Sequence, residues 1–275
     1  MRLAFSTLGA PGLPIRDVVR LAADCGFHGV ELRAHPEEPV RPGLTLNQRV
    51  DVVEAFRSAD IRILALAGYT HVAEPGADEP VLAEIRQLLE LARDLGARYI
   101  RVFPGGGDSS PVEGEATAAR RLGEVAPYAA DLGVRVLLET HDSHRTGAAA
   151  VRCVQPVGHG SVGVLWDVLH TWLGGEAPAT THELLAPYLG YVQVKDIAAA
   201  GDTTPLPPGT GVLPLAEVIG LLSRAGWDGW LCWEYEKRWY PRIPELAGLL
   251  PAARAHLLRL LAGCADHADH EDSPE

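Results

Sequence analysis

The sequence holds no C-x-x-C pair, no apolar run near the length of a membrane span and no excess of basic residues. Each absence removes a class of protein. The four cysteines, Cys25, Cys153, Cys232 and Cys264, lie far apart, which excludes a disulfide frame and a thiolate zinc site and reads as reduced thiols of a cytoplasmic chain. Twenty-four Lys and Arg face 36 Asp and Glu, for a formal charge of −12. That balance argues against a nucleic-acid surface, where a basic footprint is expected. The N-terminus, MRLAFSTLGAP, lacks the apolar core of a signal peptide, so neither export nor a membrane is implied. No G-x-G-x-x-G follows the first strand, which removes support for a dinucleotide-binding fold. The GGG at 105–107 is by itself a weak phosphate signal. No basic phosphate-binding cluster stands out, so an unphosphorylated ligand is favoured.

What is present is a regular repeat. An amphipathic segment, a small residue with Gly and a short β-rich run recur in ADCGFHGVELR, ARDLGARYIRVFPG, AADLGVRVLLET, APYLGYVQVKD and SRAGWDGWLCWEYE. Glycine after a helix takes the left-handed conformation that ends it, and a strand follows almost at once. Helical stretches such as VLAEIRQLLELARDLG place apolar residues at i, i+3, i+4 and i+7. Eight strands are predicted, at 2–7, 28–33, 61–67, 98–103, 134–139, 162–167, 190–195 and 229–234, each followed by a helix. Strict strand–helix alternation implies right-handed βαβ units and a parallel sheet. Eight units in this length fit a closed α/β (β/α)₈ TIM barrel over residues 1–262, since such barrels run to roughly 250 residues. Residues 263–275, with five acids and no Lys or Arg, read as an acidic, disordered tail whose HADH stretch is a weak metal motif at most.

In a barrel of this kind, function gathers at the C-terminal ends of the strands. Four successive strand runs aim an oxygen-bearing side chain at one rim: VLLE ends at Glu139, VGVLWD at Asp167 and WLCWE at Glu234, and YVQVKD carries Gln193 with Lys195 and Asp196 after it. Any one of these could cap a helix or pair with an arginine. Three carboxylates converging on one rim repel one another and are driven towards protonation unless a cation joins them. The set therefore points to one divalent ion, Mn²⁺ or Mg²⁺, with Co²⁺ also suited to oxygen ligands. His170, three residues beyond Asp167, can face the same pocket or pack on the rim between Trp166 and Trp172. His141 and His144 fall in the loop after the fifth strand. His141 is the better pocket candidate because it is nearer the strand end, and His144 reads as an ordinary loop residue.

Together LLETHDS (137–143), GVLWDVLHTW (163–172), YVQVKD (191–196), the G-x-G of PPGTGVLPL (207–215) and WEYEKRW (233–239) resemble the sugar phosphate isomerase/epimerase group of xylose isomerase-like barrels. The resemblance spans nearly the whole chain, from FSTLG at 5–9 onwards. It implies a metal held by Glu139, Asp167, Gln193 and Glu234. Most relatives carry histidine at the position of Gln193, and hydroxypyruvate isomerase-type members carry glutamine, so the departure makes the donor set all-oxygen. The implied activity is isomerisation or epimerisation of a sugar or related polyhydroxy ketone through an enediolate. Glu139 and Glu234 would then remove and return the proton. Loss of a β-hydroxyl on the same rim would instead make a lyase. His170 is implied as a substrate hydrogen-bond partner, Lys195 and Lys237 as anchors for hydroxyls or an anionic group, and Trp166, Trp172 and Trp239 as pocket walls. The bland readings are a Lys195–Asp196 pair, a solvated Lys237 and tryptophans that merely pack. Glu31 and Arg33, ending the second strand, would support the ligands from behind.

Two other classes share the fold. An endonuclease IV-like repair enzyme needs a histidine-rich cluster for three zinc ions, which Gln193 and the acidic charge oppose. A non-catalytic barrel would have no use for all four ligands. The expected partner is a small sugar-like molecule, with no nucleic acid and no membrane, and a homo-oligomer is compatible with the sequence.

Overall fold

The computed structural model describes residues 1–107 and 110–271. Eight parallel strands close into a barrel: β1 Arg2–Ser6, β2 Gly29–Arg33, β3 Arg62–His71, β4 Tyr99–Phe103, β5 Arg135–Glu139, β6 Val162–Asp167, β7 Leu189–Val194 and β8 Trp230–Trp233. Each strand pairs with its sequence neighbours, and β8 closes on β1 with Arg2 opposite Trp230 and Phe5 opposite Trp233. All eight predicted strands are present. The principal difference is β3, which runs ten residues and carries His71 beside Phe103. A short antiparallel hairpin, Ile197–Ala199 with Asp202–Pro205, extends the loop after β7.

The helices are α1 Ile15–Asp24, α2 Leu46–Ser58, α3 Asp78–Leu95, α4 Pro111–Asp131, α5 Gly147–Val154, α6 Val168–Leu173, α7 Pro178–Leu185, α8 Leu215–Arg224 and α9 Leu246–Glu271. Local chemistry fixes several ends. Thr45 with Gln48 and Ser110 with Glu113 form capping boxes that satisfy the first N–H groups of α2 and α4. The expected acidic tail begins inside α9, and its last residues, 272–275, lie outside the described residues. Among the described residues no helix is long and apolar enough to cross a membrane.

Side chains alternate along each strand between the inside of the barrel and the helix layer. Val136, Leu138, Val164, Trp166, Val192 and Val194 join the large core between strands and helices. Their neighbours Leu137, Leu165, Tyr191 and Cys232 fill the barrel interior with Tyr99 and Trp230. One step further along the same inward parity come Arg101, Glu139, Asp167, Gln193 and Glu234. The barrel is thus apolar at its base and charged at its C-terminal rim.

Candidate active site

A cavity of about 250 Å³ opens at that rim. Its floor is made by Glu139, Glu234, Lys195, Glu236, Arg101 and His141. Its outer wall mixes Leu8, Tyr69, Phe103 and the half-exposed Trp239 with the partly exposed His71 and Asp142. Asp167 and Gln193, both without solvent exposure, lie directly behind the floor.

Two buried cations organise the acids. On the β4–β5 side, Arg101 Nη1 donates to Glu139 Oε2 at 2.6 Å, while its guanidinium stacks 3.9 Å from the Phe103 ring centre. On the β6–β8 side, Lys195 Nζ sits between Asp167 Oδ2 at 2.7 Å, Glu234 Oε2 at 2.5 Å and Glu236 Oε1 at 2.7 Å. Asp167 also uses Oδ1 to accept from Leu169 N, capping α6 and fixing its own side chain. Gln193 Nε2 donates to Glu31 at 3.0 and 3.2 Å and to Glu234 Oε1 at 3.1 Å. Tyr191 donates to Glu31 from below.

Burial raises the Glu139 carboxyl to a pKa of about 7, against the pull of Arg101 and His141. Burial and the neighbouring Glu234 charge likewise raise Glu31. Burial works to lower His141, but Asp142 and Glu139 outweigh it and the imidazole is raised. His170 moves the other way, well below its ordinary value, through burial and the Lys195 charge. Lys195 itself is raised well above its ordinary value, because Asp167, Glu234 and Glu236 overcome its desolvation.

This arrangement fits a divalent ion. Around the floor, among the described residues, five carboxylates (Glu31, Glu139, Asp167, Glu234, Glu236) share two buried cations, Arg101 and Lys195. The acids outnumber the cations in a medium where bare charge is costly. Gln193 Oε1 is buried with no hydrogen-bond partner, leaving an oxygen donor free. A second donor set stands beside the first: Glu139, His141 and His170 offer ligand atoms within 4.8 Å of one another.

A family model for the xylose isomerase-like TIM barrel matches residues 19–260. The chain belongs to that family. Similar proteins include a Streptomyces coelicolor (strain ATCC BAA-471 / A3(2) / M145) protein provisionally named hydroxypyruvate isomerase. It is 27% identical over 268 residues, covering 88% of this chain and 93% of the relative. A fructoselysine 3-epimerase of Escherichia coli O157:H7 is 22% identical over 274 residues, covering 91% and 99%. Among solved structures, D-psicose 3-epimerase with D-tagatose from Clostridium cellulolyticum H10 superposes with a TM-score of 0.82 at 18% identity. That match covers 95% of this chain and 99% of the other. It bears on the fold.

Within this xylose isomerase-like barrel, Glu139, Glu234, His141, Lys195 and Trp239 line the cavity and Asp167 and Gln193 back it. His170 packs on His141 with ring centres 3.9 Å apart, and its Nε2 lies 3.7 Å from Asp167 Oδ2. Trp166 and Lys237 are not brought to the cavity. Trp166 is wholly buried on the helix side of β6, donating to Thr171 Oγ1 at 2.9 Å. Lys237 turns to the carbonyls of Pro241 and Ile243 at 2.8 and 2.5 Å and to Glu245 at 2.7 Å. The expected loop histidine His144 is buried, its Nδ1 2.7 Å from Ser143 Oγ. Asp196 does not pair with Lys195. It accepts from the N–H groups of Ile197, Gly209, Gly211 and Leu213, at 2.8 to 3.1 Å. That explains the G-x-G: Gly209 holds φ +84°, and a Cβ on Gly211 would lie 2.3 Å from the Asp196 carboxylate.

Arg101, Tyr69 and Glu236 also line the cavity, and none of them stands at the end of an apolar run. Arg101 had a signal: a charged residue inside YIRVF, on the inward parity of Tyr99 and Phe103, cannot sit in such a strand unpaired.

Proposed function

We propose that this protein is a divalent-metal-dependent isomerase or epimerase of a sugar or related polyhydroxy ketone. The observation that carries the reading is the rim itself, with a carboxylate excess facing a sugar-sized cavity and Glu139 and Glu234 both on its floor. Asp167, Gln193, Glu234 and Glu139 would hold the ion, Mn²⁺ or Mg²⁺ with Co²⁺ as a further fit for oxygen donors. When bound, it supplies Lewis-acid polarisation of a carbonyl and the neighbouring hydroxyl.

The chain's own residues do the rest. Glu139 lines the cavity with one carboxylate oxygen held by Arg101, placed to take and return a proton. It removes the proton from the carbon between carbonyl and hydroxyl, and Arg101 holds the carboxylate in place throughout. Glu234 delivers a proton from its own place on the floor. Return to the neighbouring carbon gives isomerisation, and return to the opposite face gives epimerisation. Lys195, paired with Asp167, Glu234 and Glu236, holds the floor carboxylates in place. Trp239 and Tyr69 wall the mouth against water. The names of the related isomerase and epimerases agree with this class of substrate.

A dehydratase is the second reading, favoured by one observation. His141 lines the cavity next to Glu139 and is shifted towards its protonated form, which suits it to protonate a leaving β-hydroxyl. Metal analysis tests the main reading: one equivalent of Mn²⁺, Mg²⁺ or Co²⁺ that is required for turnover supports it. Three zinc ions, or none with turnover undiminished, would overturn it.

A further inference from the structure

Gln193 is an unusual choice of ligand because its amide is nearly symmetric in shape. Rotating it by half a turn exchanges a neutral oxygen donor for an NH₂ group that cannot bind a cation. Something must hold the correct face. Both N–H groups of Gln193 are committed to carboxylates, Glu31 on one side and Glu234 on the other. Its Oε1 is buried and partnerless. In the reversed orientation a carbonyl oxygen would face two carboxylates at hydrogen-bond distance, three acceptors with no proton between them. Glu234 lines the cavity, but Glu31 does not; it is wholly buried at the inward parity of β2. Glu31 is in turn held by the Tyr191 hydroxyl, whose ring packs 5.6 Å from that of Tyr99.

We propose that Glu31 is a positioning residue that locks the Gln193 amide with its carbonyl oxygen presented to the divalent ion. The inference rests on the metal reading above. Glu31 touches neither substrate nor ion; it acts through Gln193, and Tyr191 fixes Glu31 in turn.

Calorimetric titration of Mn²⁺ into the metal-free, full-length protein tests it. Glu31→Gln is expected to weaken Mn²⁺ binding by roughly 10- to 100-fold, the usual loss when the partner of a ligand is removed. In a Gln193→Ala background the same substitution is expected to change the affinity by less than about twofold, because the group it acts through is gone. Glu31→Asp keeps the charge but shortens the reach, and should weaken binding as well. Equal weakening by Glu31→Gln in both backgrounds, or wild-type affinity in Glu31→Asp, would show a simple charge effect and overturn the proposal. A wild-type protein that binds Mn²⁺ normally with both Glu31 variants unchanged overturns this inference alone. A wild-type protein that binds no divalent ion overturns the metal reading with it. Should Glu31→Gln fail to fold, the side-chain amide protons of Gln193 in the metal-free wild type give an independent reading by NMR. They are expected far downfield and slow to exchange, and ordinary solvent-exposed shifts would contradict the lock.

Discussion

The two halves of the rim solve the same electrostatic problem differently. On the β4–β5 side one glutamate, Glu139, faces one guanidinium that never loses its proton, at 2.6 Å. On the β6–β8 side Asp167, Glu234 and Glu236 gather on a single Lys195 ammonium at the end of a flexible stem. The first half is charge-balanced and rigid. The second is overloaded, and its one cation is the kind that can be moved aside. The carboxylate excess therefore lies mainly on the β6–β8 side, where the proposed ion would add positive charge, while the β4–β5 side is built to tune a carboxyl.

The largest expected effect tests that division of labour. Asp167→Ala should abolish divalent binding and turnover together, whereas Glu139→Gln should lower turnover by roughly 10²- to 10⁴-fold, the usual worth of a general base. Its loss of Mn²⁺ affinity should be the smaller of the two. Equal loss of affinity in the two variants, by calorimetry, would erase the comparison.

Next, Arg101→Met leaves Glu139 buried without its counter-charge. Burial already raises this carboxyl to about 7, and Arg101 is the main force opposing it. The pH at which turnover rises should shift upward by about a unit or more, read from a pH–rate profile. The same Glu139 shift makes a stability prediction. A carboxyl whose folded pKa lies above its unfolded value near 4.5 stabilises the fold below that value, and the contribution is lost as pH rises through about 7. The metal-free protein should lose on the order of 3 kcal/mol between these limits. Denaturant midpoints from pH 4.5 to 8 should fall in the wild type and fall less in Glu139→Gln.

The smallest effects separate the two tryptophans. Trp239→Ala, at the mouth, should raise KM several-fold with Tm unchanged. Trp166→Phe, in the core between β6 and the helices, should lower Tm and leave KM alone.

How much of this was legible in the sequence follows from periodicity. The repeat gave eight strands and a closed barrel, because glycine stops and apolar runs are local signals. The gathering of Glu139, Asp167, Gln193 and Glu234 at one rim was legible because an oxygen-bearing side chain ending an apolar run is costly without a partner. Trp166 could have been set aside by parity alone: in a strand where Asp167 points inward, its neighbour points out. Lys237 could not, since its partners are carbonyls of a loop whose path no local pattern encodes. Arg101 was readable but sits in the middle of a strand instead of at its end. The Lys195 cluster joins residues from three strands, and which carboxylate a long side chain chooses is a tertiary outcome.

In the proposed mechanism Glu139 and Glu234 move a proton on carbon with a divalent ion in place. The direct measurement is deuterium incorporation from D₂O into a panel of ketoses and keto-inositols, with and without added Mn²⁺. Metal-dependent exchange next to the carbonyl, lost in Glu139→Gln and in Glu234→Gln, is the expected result. Turnover of an identified substrate that neither substitution alters would rule out proton transfer by these two glutamates.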